Sequence, residues 1–432
     1  MKALRTLAVL LALGCADSGS DRQHGVQRIQ RIERIELWGM GREGEVVAYM
    51  IPEFERRNPG IRVTVQQIPW LSAHEKLLTA YVGDAVPDVA QIGNTWIPEF
   101  VAVRGLAELT PLTRRSRTID GHDDFPGIWA TNQVDGALYG IPWYVDTRVL
   151  FYRSDVLAAV GYPHAPRTWS EWLEAMTRIQ RERRCRFAIL MPTNEFEPIE
   201  MLALSNGSSF LRDNGTRGAF EEPPFREAFL FYVNAFRRGF APPVSNFQVA
   251  NLYQQFAQGD FAMHITGPWN VGEFRRRLPP SMQGKWATAP LPARDARAPT
   301  GISMAGGSSL VIFAASRHQE AARRLIEFLS QTAQQLRLFE LLGDLPARRS
   351  AWAAPALARD PYFAAFRQQL ERVEPLPRVP EWEQIATVIF EQGEAAVRGA
   401  ATPAAALAAL DRTADDILAK RRWVLARQAA GR

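Results

Sequence analysis

Aromatic and acidic side chains in predicted loops are the residues of this chain best suited to bind a ligand. The sequence contains 12 tryptophans, more than a core of this size needs. Four of them lie close to glycine, proline or aspartate, where an indole ring is less often pure core: Trp96, Trp143, Trp269 and Trp382. Indole rings can cover the apolar C–H faces of a sugar, and carboxylates accept strong hydrogen bonds from its hydroxyls. This combination favours a site for a hydroxyl-rich molecule, although each tryptophan taken singly could equally be packing.

Paired carboxylates could instead hydrolyse a glycosidic bond, which needs two acids held across that bond. The candidate pairs are Asp123 with Asp124, Glu195 with Glu197, and Glu221 with Glu222. Adjacent acids point in different directions from a strand or a helix, and they more often mark solvated loops. The sequence has no GxSxG, HExxH or GxxxxGK[ST] motif, and its 6 histidines lack metal-ligand spacing. We therefore expect no enzyme activity, no metal and no cofactor.

The N-terminus has the features of an export signal. Lys2 and Arg5 precede an apolar run at residues 7–13, which is too short to span a bilayer as a helix. Residues 1–14 are therefore predicted to be a cleaved signal peptide. Cys15 follows "ALG", a sequence that resembles the lipobox of bacterial lipoproteins, so Cys15 would be lipidated; the alternative is an ordinary signal in which this cysteine is incidental. Residues 15–32 have the polar composition of a tether.

Length and composition limit the remaining possibilities. A chain of 432 residues exceeds what one hydrophobic core usually serves, so two lobes are expected. Cys185 is the only other cysteine, which excludes an intramolecular disulfide in the mature chain. The net charge of +5 comes from scattered arginines that are not interleaved with aromatic residues on one face, so nucleic acid is not expected as a partner.

Strands and helices alternate along the first part of the globular chain. An apolar strand, a glycine-rich turn at 39–44 and a helix through Phe54 come first, and Pro52 should kink or open that helix. A strand at 61–65, a helix at about 72–82 and the strand "PDVAQI" follow. This order predicts an α/β fold with a mostly parallel sheet covered by helices.

Four segments, taken in order, resemble the extracellular solute-binding proteins of ABC importers: "IELWGMGREGE", "FERRNPGIRVTV", "TAYVGDAVPDVAQIGNTWIPEF" and "YGIPWYVDTRVLFY". The similarity is to the carbohydrate group, which includes maltodextrin- and trehalose-binding proteins. It implies a two-lobe, periplasmic-binding-protein-like fold of type II. Each lobe would be a mixed, mostly parallel sheet flanked by helices, and a ligand cleft would lie between the lobes.

In the resembled family the chain crosses between the lobes three times. Matching the motifs predicts crossovers near residues 142–147, 301–306 and 345–350. The N-terminal lobe would then comprise residues 33–143 and 306–348, and the C-terminal lobe residues 147–301 and 350–432. Linker-like composition does not mark these points, so the boundaries follow from the resemblance alone.

The resemblance also implies which residues face the ligand. In "GIPWYVDTRVLFY" the family's tyrosine and aspartate face the cleft, here Tyr144 and Asp146. Asp146 is costly to bury without partners, so sugar hydroxyls or Arg148 would satisfy it; the alternative is a hinge pair of Asp146 and Arg148 with no ligand role.

Other segments supply further candidates by the same resemblance. Asn94 and Trp96 follow "PDVAQI", where the family places polar contacts, and ligands bind outside the carboxyl ends of strands in open α/β sheets. Trp269 lies in "MHITGPWN", which is similar to the family's Gly-Pro-Trp turn, whose tryptophan stacks on sugar.

Acidic and glycine-rich turns complete the set. Glu43 and Glu45 lie in the turn after the first strand, where the family often places an acid on a sugar hydroxyl; either could instead stabilise the helix start. "SMAGGSSL" resembles the second crossover, so Gly306 and Gly307 would expose backbone amides to the ligand. "GDLPARRSAW" resembles the third, which makes Arg348 a cleft candidate.

The function implied is the substrate-binding component of an ABC-type sugar importer. Such a protein works as a monomer, closes on a mono- or oligosaccharide and delivers it to permease subunits, in the periplasm or at the outer cell surface. A polyol or a glycerol phosphate is an alternative ligand, but a phosphate would require converging arginine or lysine. A surface lipoprotein that binds a macromolecule is a further alternative; it predicts an exposed apolar patch instead of an aromatic cleft.

Overall fold

A computed structural model describes residues 32–430 of the chain. The predicted signal peptide, the candidate lipidation site Cys15 and most of the predicted tether lie outside the described residues. Across residues 32–430, none of the helices combines the length and the apolar character needed to cross a bilayer. A six-stranded and a four-stranded β-sheet, three two-stranded sheets and the helices packed around them make up this part of the chain.

The strands are short and are distributed along the whole described chain. Their bounds are β1 (Glu33–Met40), β2 (Ile61–Ile68), β3 (Val89–Gly93), β4 (Gln133–Val134), β5 (Ala137–Leu138), β6 (Ile141–Asp146), β7 (Val149–Arg153), β8 (Phe187–Leu190), β9 (Leu211–Arg212), β10 (Arg217–Gly218), β11 (Phe261–Thr266), β12 (Trp286–Ala289), β13 (Ser303–Met304), β14 (Gly306–Ile312), β15 (Leu345–Pro346) and β16 (Val373–Glu374).

The helices lie between these strands and dominate the C-terminal part. Their bounds are α1 (Gly41–Val47), α2 (Ile51–Arg57), α3 (Trp70–Val82), α4 (Ile97–Ala102), α5 (Thr110–Thr113), α6 (Pro126–Thr131), α7 (Ser154–Ala159), α8 (Trp169–Arg181), α9 (Glu197–Ser205), α10 (Pro223–Arg237), α11 (Leu252–Gln258), α12 (Trp269–Arg277), α13 (Gln319–Leu329), α14 (Thr332–Leu342), α15 (Pro355–Ala358), α16 (Pro361–Leu370), α17 (Trp382–Val397), α18 (Pro403–Ile417) and α19 (Ala419–Ala430). Short 3₁₀ helices occur at Asn94–Trp96, Asn246–Gln248, Pro280–Met282 and Arg349–Ala353.

The larger sheet has the strand order β15-β6-β14-β3-β1-β2, and the smaller has the order β12-β7-β11-β8. β1 pairs in parallel with β2 and β3, and β11 with β8. The other pairings in the two sheets are antiparallel. The prediction of mixed sheets is confirmed, but the prediction that they are mostly parallel is wrong. β14 and β15 account for much of the difference. Both strands follow segments outside the larger sheet, and both run antiparallel to the strands beside them.

The chain passes directly from the larger sheet to the smaller one between β6 and β7. Only Thr147 and Arg148 connect these strands. β13 pairs with β16, whereas β14, one residue further along the chain, belongs to the larger sheet. These strand ends and β15 lie within or beside the three ranges in which the sequence predicts crossovers.

The turn after β1 differs in detail from the prediction. α1 begins at Gly41, inside the predicted turn, because Gly39 and Gly44 approach each other closely: a Cβ on Gly39 would lie 2.5 Å from the Cα of Gly44. The predicted helix through Phe54 is interrupted as expected, since α2 starts at Ile51 with Pro52 in its first turn, where a missing N–H costs no hydrogen bond. α3 begins two residues before the predicted start.

Glu200 is an unusual member of the core around the smaller sheet. It lies in α9, is fully buried, and neither side-chain oxygen has a hydrogen-bond partner among the described residues. Burial, together with the charges of Glu197 and Glu383, raises the pKa of Glu200 well above its ordinary value. The folded protein therefore holds Glu200 in its neutral form, because an unpaired buried carboxylate is costly.

We expect Glu200→Gln to increase stability relative to the wild type as the pH rises. The pKa of Glu200 is higher in the folded protein than in the unfolded chain. The wild type therefore keeps its full stability below the unfolded-state pKa and loses stability as the pH rises toward the folded-state pKa. Glutamine does not ionise, so it removes this loss. Melting temperatures between pH 5 and pH 9 test the point, with Glu391→Gln on the exposed face of α17 as the matched control. Parallel curves for wild type and Glu200→Gln would contradict the assignment.

Candidate ligand-binding cleft

A cavity of about 520 Å³ lies between the two sheets. Several of its wall residues lie within three residues of a strand's carboxyl end, on both sides of the cavity: Glu43 after β1, Trp70 after β2, Asn94 after β3 and Trp269 after β11. In open α/β sheets ligands bind outside the carboxyl ends of strands. The fold thus brings loops that are distant in the sequence to one place, and we call this cavity the cleft.

Nine predicted ligand-binding residues line the cleft. They are Glu43, Asn94, Trp96, Tyr144, Asp146, Trp269, Gly306, Gly307 and Trp382. Trp382 contributes little surface, since it is 1% exposed and packs edge-on against Phe210, with ring centroids 5.4 Å apart. Its main role is therefore in the core.

Three predicted residues do not line the cleft: Glu45, Trp143 and Arg348. Trp143 is fully buried in the core of the larger sheet, because strand alternation in β6 turns it away from the face that carries Tyr144. Glu45 is exposed on α1, so Glu43 is the acid of that turn that reaches the cavity.

Arg348 is held elsewhere by the loop before α6. Its Nε donates to Oδ2 of Asp123 over 2.8 Å, and its Nη1 donates to the carbonyl oxygen of Thr118. Ser350 also donates to Asp123, from its hydroxyl over 2.7 Å. Asp123, weighed above as a hydrolase acid, thus anchors the segment after β15, and Arg348 has a structural role there.

Glu43 is held at the wall of the cleft by two donors. The hydroxyl of Tyr144 donates to Oε1 of Glu43 over 2.8 Å, and the Trp70 side chain also bonds to this carboxylate. Burial raises the pKa of Glu43 above its ordinary value, although both bonds favour the charged form. Burial and the Glu43 charge raise the pKa of Tyr144 well above its ordinary value, which keeps the phenol neutral and able to donate.

Arg148 is the only cationic side chain among the described residues that line the cleft. It donates to Oδ1 of Asp146 over 3.3 Å and to Oε1 of Glu197 over 3.0 Å. Its guanidinium also lies over the Trp269 ring, 4.5 Å from the centroid. Burial alone would lower the pKa of Arg148, but the carboxylates raise it. The predicted pair of Asp146 and Arg148 therefore exists, and it lies on the cleft wall.

Asp146 keeps a raised pKa despite this ion pair. Burial raises the pKa of Asp146 most strongly, Arg148 opposes it, and the charge of Glu197 adds to the rise. Glu197 and Asp146 thus compete for one cation, which leaves both carboxylates with unused acceptor capacity toward the cleft.

Asn94 and Thr95 connect the end of β3 to other segments. The Asn94 amide nitrogen donates to Oγ1 of Thr131 over 3.1 Å and to the carbonyl oxygen of Ala305 over 3.3 Å. Its side-chain oxygen is the atom that can meet a ligand. Thr95 bonds to the carboxylate of Glu383 on α17, and burial raises the pKa of Glu383 above its ordinary value.

Trp96 and Trp70 form an aromatic corner of the cleft. Their ring centroids are 5.8 Å apart in an edge-on arrangement, and the His74 ring lies 4.9 Å from Trp96. His74 approaches Oε2 of Glu99 within 2.6 Å, and this bond raises the pKa of His74. The corner is therefore fixed by packing and by one polar pair behind it.

Gly306 and Gly307 are required by the close approach of β14 and β6. A Cβ on Gly306 would lie 2.7 Å from the carbonyl oxygen of Asp146, and one on Gly307 would lie 2.4 Å from that of Tyr144. Gly307 also has a φ of 131°, which side chains rarely tolerate. Both residues line the cleft with backbone alone.

The cleft side chains that sequence reasoning missed include Trp70, Glu197, Asp344 and Glu383. Trp70 follows a strand just as Trp96 does, so the rule that selects Trp96 also selects Trp70. Glu197 was considered only as a hydrolase acid, and Asp344 lies four residues before the chosen Arg348. Nothing local distinguishes Glu383, because α17 brings it to the cleft from far along the chain.

A second, more open hollow of about 910 Å³ lies beside the start of β1. Two of its arginines are already engaged, since Arg57 pairs with Glu53 and Arg324 with Glu320; Arg34 and Arg317 also line it. None of the described residues that line it is a tryptophan. It lacks the aromatic surface and the free carboxylates of the cleft, which is therefore the better candidate site.

We expect Arg148→Met to destabilise the protein by about 3 kcal/mol near pH 7, because it leaves two nearly buried carboxylates without their cation. The deficit should shrink as the pH falls toward 5, since the raised pKa of Asp146 favours its protonation, and a neutral Asp146 no longer needs that cation. Chemical denaturation at both pH values tests this. Arg297→Met, which removes a 90% exposed partner of Asp295, is the control and should change little. An equal deficit at both pH values would contradict the expectation.

Comparison with known proteins fits this architecture. The model of the bacterial extracellular solute-binding protein family matches residues 40–336. The sugar-binding protein MalE of the phytopathogen Xanthomonas citri is 49% identical with a TM-score of 0.87, covering 91% of this chain and 99% of that one. An ABC transporter solute-binding protein of Thermotoga lettingae, solved with α-D-tagatose, is 25% identical with a TM-score of 0.75, covering 89% of this chain and 100% of that one.

A curated relative points the same way. The arabinooligosaccharide-binding protein of Halalkalibacterium halodurans is 26% identical over 316 residues, which is 71% of this chain and 68% of that protein. The two-lobe fold predicted from the sequence is confirmed by these matches. With more than half of its length matched by the family model, the chain belongs to the bacterial extracellular solute-binding proteins.

Proposed function

We propose that this protein captures a mono- or oligosaccharide for an ABC importer. The observation that carries the proposal is the cleft, which combines indole surface with carboxylates drawn from both sheets. Its volume of about 520 Å³ falls within the range of roughly 300–1,000 Å³ typical of small-molecule sites. Such a site binds its ligand without acting on it, and we expect no chemical step.

The charges of the cleft favour a neutral, hydroxyl-rich ligand. Sugar hydroxyls can donate to the carboxylates of Glu43, Asp146 and Glu383, which are acceptors when ionised. Among the described residues of the cleft wall, a phosphate would meet one guanidinium, that of Arg148, and it already serves two carboxylates. A glycerol phosphate is therefore disfavoured, and a polyol would leave the aromatic rings without a sugar face to cover.

Trp269 is the candidate for stacking on the sugar. Trp269 is 41% exposed, more than any other tryptophan among the described residues of the cleft, so a large part of its apolar surface is still free for a ligand. The backbone of Gly267 fits against the ring: a Cβ there would lie 2.0 Å from a Trp269 ring carbon. Contact with Gly267 and Arg148 holds the indole in one orientation before the ligand arrives.

Closure of two lobes would complete the site. We assign residues 33–143 and 306–348 to one lobe, and residues 147–301 and 350–432 to the other. The two-residue connection between β6 and β7 supports a hinge there. Ser303 fixes that connection, because its Oγ accepts from the N–H of Arg148 over 3.1 Å and donates to the carbonyl oxygen of Arg148 over 3.1 Å. Hinge closure around a ligand is a common device of binding proteins.

Export and attachment complete the proposal. Cys15 would carry a lipid, and residues 15–32 would let the lobes reach permease subunits in the membrane. A relative from Streptococcus pneumoniae is named a maltooligosaccharide ABC transporter solute-binding lipoprotein, which is consistent with this arrangement. Each buried methylene of such an anchor contributes about 0.8 kcal/mol to membrane attachment.

A thermal-shift screen tests the proposed function. The panel should contain mono- and oligosaccharides, polyols and glycerol phosphates. A ligand that binds only the folded state stabilises it by about 2.7 kcal/mol at a hundredfold excess over its Kd. A selective rise in melting temperature with one sugar class is the expected result. A folded sample that responds to no sugar would contradict the proposal and favour a macromolecular partner.

The site assignment has its own test. We expect Asp146→Ala and Trp269→Ala each to weaken binding of the responding sugar by at least about tenfold, a loss of roughly 1.4 kcal/mol, with little change in folding. Asp416→Ala and Trp423→Ala, which alter exposed residues of α18 and α19, are matched controls. Isothermal titration calorimetry measures the affinities. Unchanged isotherms in both cleft variants would contradict the assignment.

A further inference from the structure

Asp344 is a cleft acid whose surroundings disfavour its charged form. It follows Gly343, which ends α14 in the left-handed conformation with a φ of 88°. Its Oδ2 is buried and has no hydrogen-bond partner within residues 32–430. The C-terminus of a helix is also the negative end of the helix dipole, which repels an anion. Position and missing partners therefore both oppose ionisation of Asp344.

The charges that face Asp344 act in the same direction. Burial raises the pKa of Asp344 well above its ordinary value, and the charges of Glu43 on α1 and Asp146 on β6 raise it further. Arg42 on α1 is the cation that opposes them, but it is exposed to solvent. Arg148 is already paired with carboxylates.

The remaining neighbours do not supply a counter-charge. Tyr144 on β6, which is close enough for Asp344 to raise its pKa, stays a neutral phenol and donates to Glu43. Arg348, in the segment after β15, is turned to Asp123. A proton is therefore the simplest means of neutralising Asp344.

Among the described residues that line the cleft, five are carboxylates, and most side-chain donors other than the indole N–H groups of Trp96, Trp269 and Trp382 are already engaged. The side-chain donors already engaged within the protein are Arg148 with Asp146 and Glu197, Tyr144 and Trp70 with Glu43, Asn94 with Thr131 and Ala305, and Thr95 with Glu383. Sugar hydroxyls both donate and accept, but the ring and glycosidic oxygens of a sugar only accept. These oxygens need a donor, and a neutral carboxylic acid provides one O–H.

We propose that Asp344 enters the binding step as a neutral carboxylic acid and donates a hydrogen bond to an acceptor-only oxygen of the captured sugar. The proposal rests on the proposed function and adds a regulation to it, because capture then requires the proton of Asp344. Sugar affinity falls as the pH rises, by up to about tenfold per pH unit once Asp344 ionises in the free protein. An acidic environment favours capture, and a basic one favours release.

The first arm of the test needs no ligand. Melting temperatures of wild type, Asp344→Asn and the control Asp416→Asn are measured from pH 5 to pH 9. Because the folded-state pKa of Asp344 is raised, its contribution to stability is complete in acid and is lost as the pH rises. The melting temperature of Asp344→Asn should therefore rise relative to that of the wild type as the pH increases, whereas that of Asp416→Asn should not. Parallel curves for wild type and Asp344→Asn would overturn the proposal.

The second arm measures binding by calorimetry at pH 5.5, 7 and 8.5, in buffers with different heats of ionisation. The probe is maltotriose or, if it gives no thermal shift, the panel sugar that does. The wild-type Kd should increase with pH, with proton uptake on binding at the pH values where the Kd rises. Asp344→Asn should lose this pH dependence, since its amide donates at every pH, and Asp344→Leu should bind weakly throughout.

The outcomes separate this proposal from the proposed function. A wild-type Kd that is independent of pH, combined with weak binding of Asp344→Asn at every pH, would identify Asp344 as an ionised acceptor and overturn the proposal. Absence of binding to every sugar would overturn the proposed function. In that case the melting curves would still decide whether Asp344 is neutral in the folded protein.

Discussion

The ion pairs of Arg148 are the interaction on which the rest of the cleft depends. Arg148 lies in the two-residue connection between the sheets, and its guanidinium bonds to Asp146 on β6 and Glu197 on α9 while covering Trp269 on α12. One cation thus fixes three cleft side chains that come from both halves of the molecule. Its backbone is held by Ser303 in turn. A cation at this position lets several carboxylates share one small cavity without unfolding the protein.

The sheets explain why these acids meet at all. Side chains that follow β1, β2 and β3 converge because the carboxyl ends of parallel neighbours lie at one edge of a sheet, and those after β8 and β11 converge in the same way from the other side. The glycines at the start of β14 allow the antiparallel strand β6 to approach closely. Tyr144 and Asp146 therefore share one face of β6 and point to the cavity together.

Much of the fold and about half of the cleft could be predicted from the sequence, and the exceptions have physical causes. Tyr144, Asp146 and Trp269 lie in motifs that resemble the family's, and all three line the cavity. Trp143 was a poor choice because neighbours in a strand point to opposite faces, so Trp143 and Tyr144 cannot both face the ligand. Excluding one of these two neighbours requires only that the segment be assigned as a strand.

The side chains that were missed depend on contacts made over long sequence distances. Glu383 reaches the cleft only because α17 packs beside the end of β3, where Thr95 bonds to it. Asp344 and Arg348 are close in sequence, yet Asp123 holds Arg348 outside the cleft. No local pattern distinguishes the two. The expectation of a mostly parallel sheet was wrong for a similar reason. The order of strands in the sequence does not show whether a strand that joins the sheet later, such as β14 or β15, runs parallel or antiparallel to its neighbours.

An excess of acceptors also explains why closure should wait for a ligand. If the lobes closed on an empty cleft, the carboxylates of Asp146, Glu197 and Glu383 would lose water without gaining donors, and burying unpaired acceptors is costly. In the proposed function, sugar hydroxyls would supply the missing donors, and Trp269 would gain an apolar face in place of water. A ligand shifts a conformational equilibrium only through its different affinities for the two states. Under the proposed function the unsatisfied carboxylates would create that difference, so the acids that would make closure of the empty site unfavourable would also make closure of the filled site favourable.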